Sequence, residues 1–425
     1  MKKVLVAGAA LMLAGSMVSA ASAGNPEEAP EETTGVSISG DARVTYVGGV
    51  DYYRVKTDLS ADGYGDYFDS RVGVNVDAVA KGGASVHARM YFDDQGWNDD
   101  VVWNTGVTGD AQLGVSTDYA YIKVPLSDTL TVKAGRLPLN FSPFYAGEIR
   151  PTRVQVIYES GNLKLVPWIG VVTEEGSDLD DLNDSDFMQY GIIPVLKLND
   201  AWTLKGYFRY NDDAREWAND PSVETVGGVE VAVPATAHRD SSGFDGSVNL
   251  SGTAGNVGLT AEVSYKAADV QGTEDDGTGG YIQAAFSMPG ITPIVLAGMT
   301  QDGFMAFRDF GFVMVGGNES TTVVNVGNSK GDLMFGALVL LHDISDRFSV
   351  QGNLLYASYD YENDSVAASQ LDSAIEISGV MNYAVSESTS FEYKLGYLAP
   401  TYNDGAADIY EDAYIGQVLR MNVAF

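Results

Sequence analysis

Apolar and polar residues alternate one for one along most of this chain, and the alternation runs to its last residue. Counting back from Phe425, positions Val423, Met421, Leu419 and Ile415 are apolar, with Asn422, Arg420 and Gly416 between them. Near the other end, Val36, Ile38, Ala42, Val44 and Tyr46 alternate with Ser37, Ser39, Asp41, Arg43 and Thr45. A period of two specifies a strand with unlike faces, and a one-residue slip would exchange them. So much sheet with one apolar face has to cover that face and close its edges. A transmembrane antiparallel β-barrel does both, with lipid outside, a wet interior, and the last strand paired to the first.

The pattern recurs between these ends. Val72, Val74, Val76 and Ala78 oppose Arg71, Asn75 and Asp77; Val86, Ala88, Met90 and Phe92 oppose Ser85, His87, Arg89 and Asp93. Further segments repeat it around Trp202–Tyr210, Phe244–Leu250, Val257–Tyr265, Phe348–Tyr356 and Phe391–Tyr397. Aromatics sit near strand ends on the apolar face, where interfacial girdles place them. Connections alternate short and long. Eight short ones (such as 81–83, 161–162 and 199–201) and nine long ones (such as 47–68, 137–152, 212–240 and 301–330) give about 18 strands, or 16 if one hairpin is lost. Segments 163–171, 292–300 and 331–343 are apolar on both faces and are the weakest strands. The fold class is therefore all-β, a single barrel over 36–425 with no internal linker.

Before that barrel, Lys2 and Lys3 precede an apolar run over 4–15, and Ala21-Ser22-Ala23 fits a cleavage site, so residues 1–23 read as a signal peptide. Residues 24–35 read as an acidic, disordered lead-in. No apolar run after the signal reaches the length of a membrane helix. Mean hydropathy is −0.05, as expected where alternation hides a lipid-facing surface. The chain has no cysteine, which excludes disulfides and thiolate metal sites. A net charge of −33 argues against nucleic acid and for cations as counter-ions. The acidic loops at 173–186 and 360–364 lack metal-ligand spacing and read as solvated, and no cofactor motif is present.

Residues 118–144 run DYAYIKVPLSDTLTVKAGRLPLNFSPF. This segment resembles the part of bacterial outer-membrane porins in which a Tyr-Ala-Tyr strand turns into a strand ending in Gly-Arg. The resemblance implies an inward-folded third outer loop, here 137–152. It also implies an outer membrane of a Gram-negative bacterium, a lipid and lipopolysaccharide surround, insertion by the barrel-assembly machinery through the strand ending at Phe425, and a homo-trimer. The implied function is passive diffusion of ions and small hydrophilic solutes, with cations preferred on net charge. A porin selective for a particular anion or sugar is the alternative.

The polar parity then defines the candidate channel residues. Arg43, Arg71, Arg89, Lys123, Lys133 and Arg153 lie on it in the first six strands; Asp245, Glu262, Glu376 and Glu392 lie on it in the second half. Arg136 leads into the third loop and Glu148 sits within it. A basic wall facing acidic groups would set a transverse field that sorts solutes by charge. Two other classes compete. An outer-membrane enzyme needs a nucleophile and usually a histidine base, and His87, His238 and His342 have no evident serine partner in the sequence. A closed barrel that binds or sheaths a partner would use its loops, among them the hairpin expected around Gly227-Gly228.

Overall fold

The computed structural model describes residues 34–50, 67–94, 114–147, 149–173, 187–213, 222–226, 229–233, 241–273, 275–307, 310–317, 324–327, 331–361, 371–402 and 413–425. Signal and lead-in up to residue 33, the tip at Gly227-Gly228, His238, Glu148 and the acidic segments 174–186 and 362–370 lie outside them.

The strands of the first half are β1 Gly35–Val50, β2 Tyr67–Val79, β3 Ser85–Asp94, β4 Gly114–Ser127, β5 Leu130–Arg136, β6 Thr152–Ser160, β7 Leu163–Thr173, β8 Phe187–Lys197 and β9 Trp202–Asp213. A separate antiparallel pair, β10 Ser222–Val226 and β11 Val229–Val233, forms the expected hairpin in the fifth long loop. The sheet resumes with β12 Gly243–Ala254, β13 Val257–Lys266, β14 Gly277–Phe286, β15 Ile291–Gln301, β16 Gly331–Ser345, β17 Phe348–Tyr361, β18 Leu371–Ala384, β19 Thr389–Tyr402 and β20 Tyr414–Ala424. A single helical turn, α1 Ala268–Gln271, follows β13. Each sheet strand pairs antiparallel with the next, β9 pairs with β12, and β20 pairs with β1, closing 18 strands into a barrel.

Closure is made by the chain end. Gly40 and Phe425 exchange both backbone hydrogen bonds, at 2.8 and 2.9 Å, beyond the Asp41–Ala424 pair. The Phe425 ring lies across Gly40, where an added Cβ would sit 2.5 Å from Cζ and 2.4 Å from the Gly73 carbonyl. The Gly73 backbone cannot yield. Gly40→Ala is therefore expected to destabilise the barrel by about 1–3 kcal/mol through overpacking, read as a lower urea midpoint in lipid vesicles.

The two faces follow the alternation. Val36 and Ile38 are 69% exposed, and Phe244, Val263, Tyr356, Leu395 and Leu419 also point outward. Asp41, Thr45, Ser247, Asn249, Ser264 and Arg420 point inward. An exterior this apolar is covered only by lipid.

All three ambiguous segments form strands, β7, β15 and β16. Their inward faces carry Trp168, Ile294, Leu296, Leu333, Phe335 and Val339, and all are buried in one apolar cluster inside the barrel. The polar interior expected of a wide barrel is thus replaced over this sector by a core.

Candidate functional site

That core exists because loops enter the barrel. The third long loop, 137–151, leaves β5 at Gly135, whose φ is +128° and where a Cβ would lie 2.3 Å from the Ala120 carbonyl. Only glycine fits this bend, which gives the Gly-Arg pair its physical meaning. The loop doubles back through paired hydrogen bonds between Leu139 and Ile149, at 2.8 and 3.0 Å. Phe141 and Tyr145 then pack on Tyr207 of β9. Ser142 Oγ donates to Glu262 Oε1 on β13 at 2.5 Å, and Ser247 and Asn249 donate to the same carboxylate at 2.8 and 2.9 Å. Glu262 thus fastens the loop to the wall.

A second insertion was not expected from the sequence. The seventh long loop, between β15 and β16, also turns inward and buries Phe304, Phe310, Phe312, Val313, Met314 and Val315. Phe144 joins the two loops: its carbonyl accepts from Phe307 N–H at 2.7 Å, and its ring stacks on Phe304 and meets Phe310 edge-on. Glu376 of β18 anchors the loop. Its carboxylate is 0% exposed and accepts the backbone N–H groups of Val313, Met314 and Val315 at 2.9, 3.1 and 2.8 Å. Three converging amides make a nest for an anion. A signal was available in the sequence: Phe304, Met305, Ala306, Phe307, Phe310, Phe312, Val313, Met314 and Val315 are too apolar for a solvated outer loop.

The loops divide the interior. Many inward side chains on β12–β20 are covered, among them Asp245, Glu262, Glu376, Leu398, Tyr414 and Val418. On the first strands, Arg43, Arg71, Lys123 and Lys133 are only half-buried and Arg136 is exposed. Arg71 lies 4.2 Å over the Tyr91 ring and has no acidic partner among the described residues. Arg43 lies 3.8 Å from Asp69. Arg89 is paired with Asp41 and lies 4.0 Å from Asp118, which also holds Arg150 at 3.0 Å. Buried Arg153 sits over Trp168 with Nε and Nη1 unpartnered. Across the barrel, Asp245 is paired with Arg209, and Glu392 with Arg420 at 2.8 Å and Lys394 at 3.4 Å. The structure thus brings the six cations of β1–β6 onto one sector, while each acid of the second half bonds to a loop or a neighbouring cation.

His87 does have a serine partner, two residues away on the same strand face. Ser85 Oγ lies 2.8 Å from Nε2, and Asp77 Oδ1 lies 2.6 Å from Nδ1. The connectivity is that of a Ser-His-Asp triad. A hydrolase also needs donors for an oxyanion. The Ser85 backbone is in register with both Val79 and Lys123, so its single N–H lies within the ladder. The three side chains therefore fix one another on the wall.

A closed 18-strand barrel with an apolar exterior and loops folded into its interior is the outer-membrane porin fold. No family model matches the chain, and no curated protein matches it in sequence. Solved structures do share the fold. The outer membrane protein OpdK of Pseudomonas aeruginosa superposes with a TM-score of 0.60 at 11% identity, covering 92% of this chain and 98% of that one. OprD of the same organism gives 0.56 at 11% identity, covering 91% and 94%. A BenF-like porin from Pseudomonas fluorescens gives 0.56 at 11% identity, covering 92% and 98%.

Proposed function

We propose that this protein is an outer-membrane diffusion channel whose path runs between the two inserted loops and the wall of β1, β2, β4 and β5, and that it favours small anionic solutes. The observation that carries this is the contrast in exposure: the inward cations of that wall keep contact with solvent, whereas the acids of the opposite half are covered and bonded. Wall charge acts on a permeating ion at close quarters. The cation preference expected from net charge rests largely on outer loops, where salt screens a charge beyond about 8–10 Å. Flux is passive and needs no cofactor. The same reading carries a lipid and lipopolysaccharide surround, insertion through β20, and a homo-trimer.

Liposome swelling tests it. Vesicles holding the protein should swell faster in a small organic anion than in a neutral sugar or an amine of similar size. Equal rates for all three would support an unselective pore, and no swelling would oppose the channel itself.

A further inference from the structure

One cavity, of about 290 Å3, lies apart from the arginine wall. It sits at the long-loop end of β9, β12 and β13, where Arg209, Asp245 and Lys266 point inward, under α1 and beside the seventh loop. Three observations mark it as a site with unmet polarity. Lys266 Nζ donates to the Met305 carbonyl at 2.9 Å and rests 4.7 Å from the Phe304 ring, but no described carboxylate lies within ion-pair distance of it. An ammonium has three donors, so donors remain. Asp245, the nearest acid of the lining, is already forked onto Arg209 through two nitrogens. Gln271 spends its amide nitrogen on Thr273 at 2.6 Å and on the Asp275 and Asp302 carbonyls at 3.0 and 2.9 Å, while its Oε1 is buried with no partner. The lining therefore has one positive charge in excess, spare donors, and one acceptor that lacks a donor.

The helix that brings Gln271 there is held in place. Asp276 accepts from Ala268 N–H at 2.9 Å and from Tyr265 Oη at 2.7 Å, and these bonds keep its carboxyl below the usual carboxylate range. The cavity volume is at the low end for ligand sites, enough for an acid of a few carbons and too small for an oligosaccharide.

We infer that this recess is a capture site in the outer vestibule for a small hydroxycarboxylic acid, with its carboxylate on Lys266 and its hydroxyl donating to Gln271 Oε1. The inference deepens the reading of an anion-favouring channel and rests on it. Captured solute is held next to the point where the two loops meet, so the recess would raise the local supply to the path beside it.

Single channels in a planar bilayer test this, with sodium lactate added on the long-loop side and propionate as the acid that lacks the hydroxyl. Lactate should cause brief current interruptions that outlast those of propionate. Lys266→Met should shorten the lactate interruptions about tenfold, the scale of one lost charge-assisted hydrogen bond. Lys266→Arg should restore them, which separates loss of charge from loss of fold. Gln271→Leu should erase the difference between lactate and propionate. Interruptions unchanged in Lys266→Met would overturn the site. An anion-selective wild-type channel with no lactate interruptions would overturn the recess and leave the channel reading standing. Interruptions in a channel that excludes anions would do the reverse.

Discussion

Glu376→Ala should release the seventh loop and give larger, noisier single-channel currents. Glu376 is fully covered and has no cation beside it among the described residues; its charge is held by the three amides of Val313–Val315. Removing the carboxylate leaves three buried donors without acceptors. Each costs about 1–3 kcal/mol in place, so on the order of 3–9 kcal/mol would favour the loop moving to where water satisfies them. Local apolar packing resists this, chiefly the Phe144–Phe310 contact and Met314 seated on Gly396. Glu376→Gln is the finer variant. Its amide keeps one acceptor and turns a donor toward donors, so it should lie between wild type and alanine. Conductance of both variants unchanged from wild type would mean that the loop stays in place without its anchor.

Arg71→Glu should have the largest effect on ion selectivity of any single change. Arg71 stacks on the Tyr91 ring at 4.2 Å and has no described carboxylate within ion-pair distance to neutralise it. A unit charge at roughly 5 Å from a permeating ion contributes about 0.8 kcal/mol in water, so reversing it raises an anion by about 1.6 kcal/mol and lowers a cation by as much, about 3 kcal/mol in their difference. That is on the order of a hundredfold in the anion-to-cation permeability ratio before screening, which reduces it as salt rises. Arg89→Glu is a weaker test, because it would set three carboxylates together with Asp41 and Asp118. The measurement is the reversal potential of Arg71→Glu against wild type at low and high salt. A shift that does not shrink at high salt would point to an altered pore shape.

Much of the barrel was legible because each strand has to satisfy lipid on one side. Alternation fixed the faces of β1, β12, β13, β17 and β19, and the succession of short and long connections pointed to about 18 strands with 16 as the alternative, of which the barrel has 18. Alternation was weakest at β7, β15 and β16, since their inward faces meet protein and carry Trp168, Ile294, Leu296 and Phe335. Periodicity reports a contrast between two surroundings, and there the contrast is missing. The inward course of the third loop was implied by the resemblance of residues 118–144 to porins, and Gly135 supplies its physical reason. The seventh loop left only an excess of apolar residues between two strands, a signal that connection length alone does not use. Parity placed Glu262 and Glu376 on the inner face, yet their partners, Ser142 and the amides of Val313–Val315, are remote in sequence. Ser85 and His87 were adjacent on one face throughout; their bond depends on side-chain rotamers, which alternation does not specify.

The central claim is that local charge on the exposed wall, and not net charge, governs passage. The most direct measurement is the reversal potential of the refolded wild-type chain in a planar bilayer under a KCl gradient. The account predicts discrete conductance steps whose reversal potential has the sign of Cl⁻ preference, although the chain carries a net charge of −33. Steps with K⁺ preference would contradict it and return control of the channel to the acidic groups.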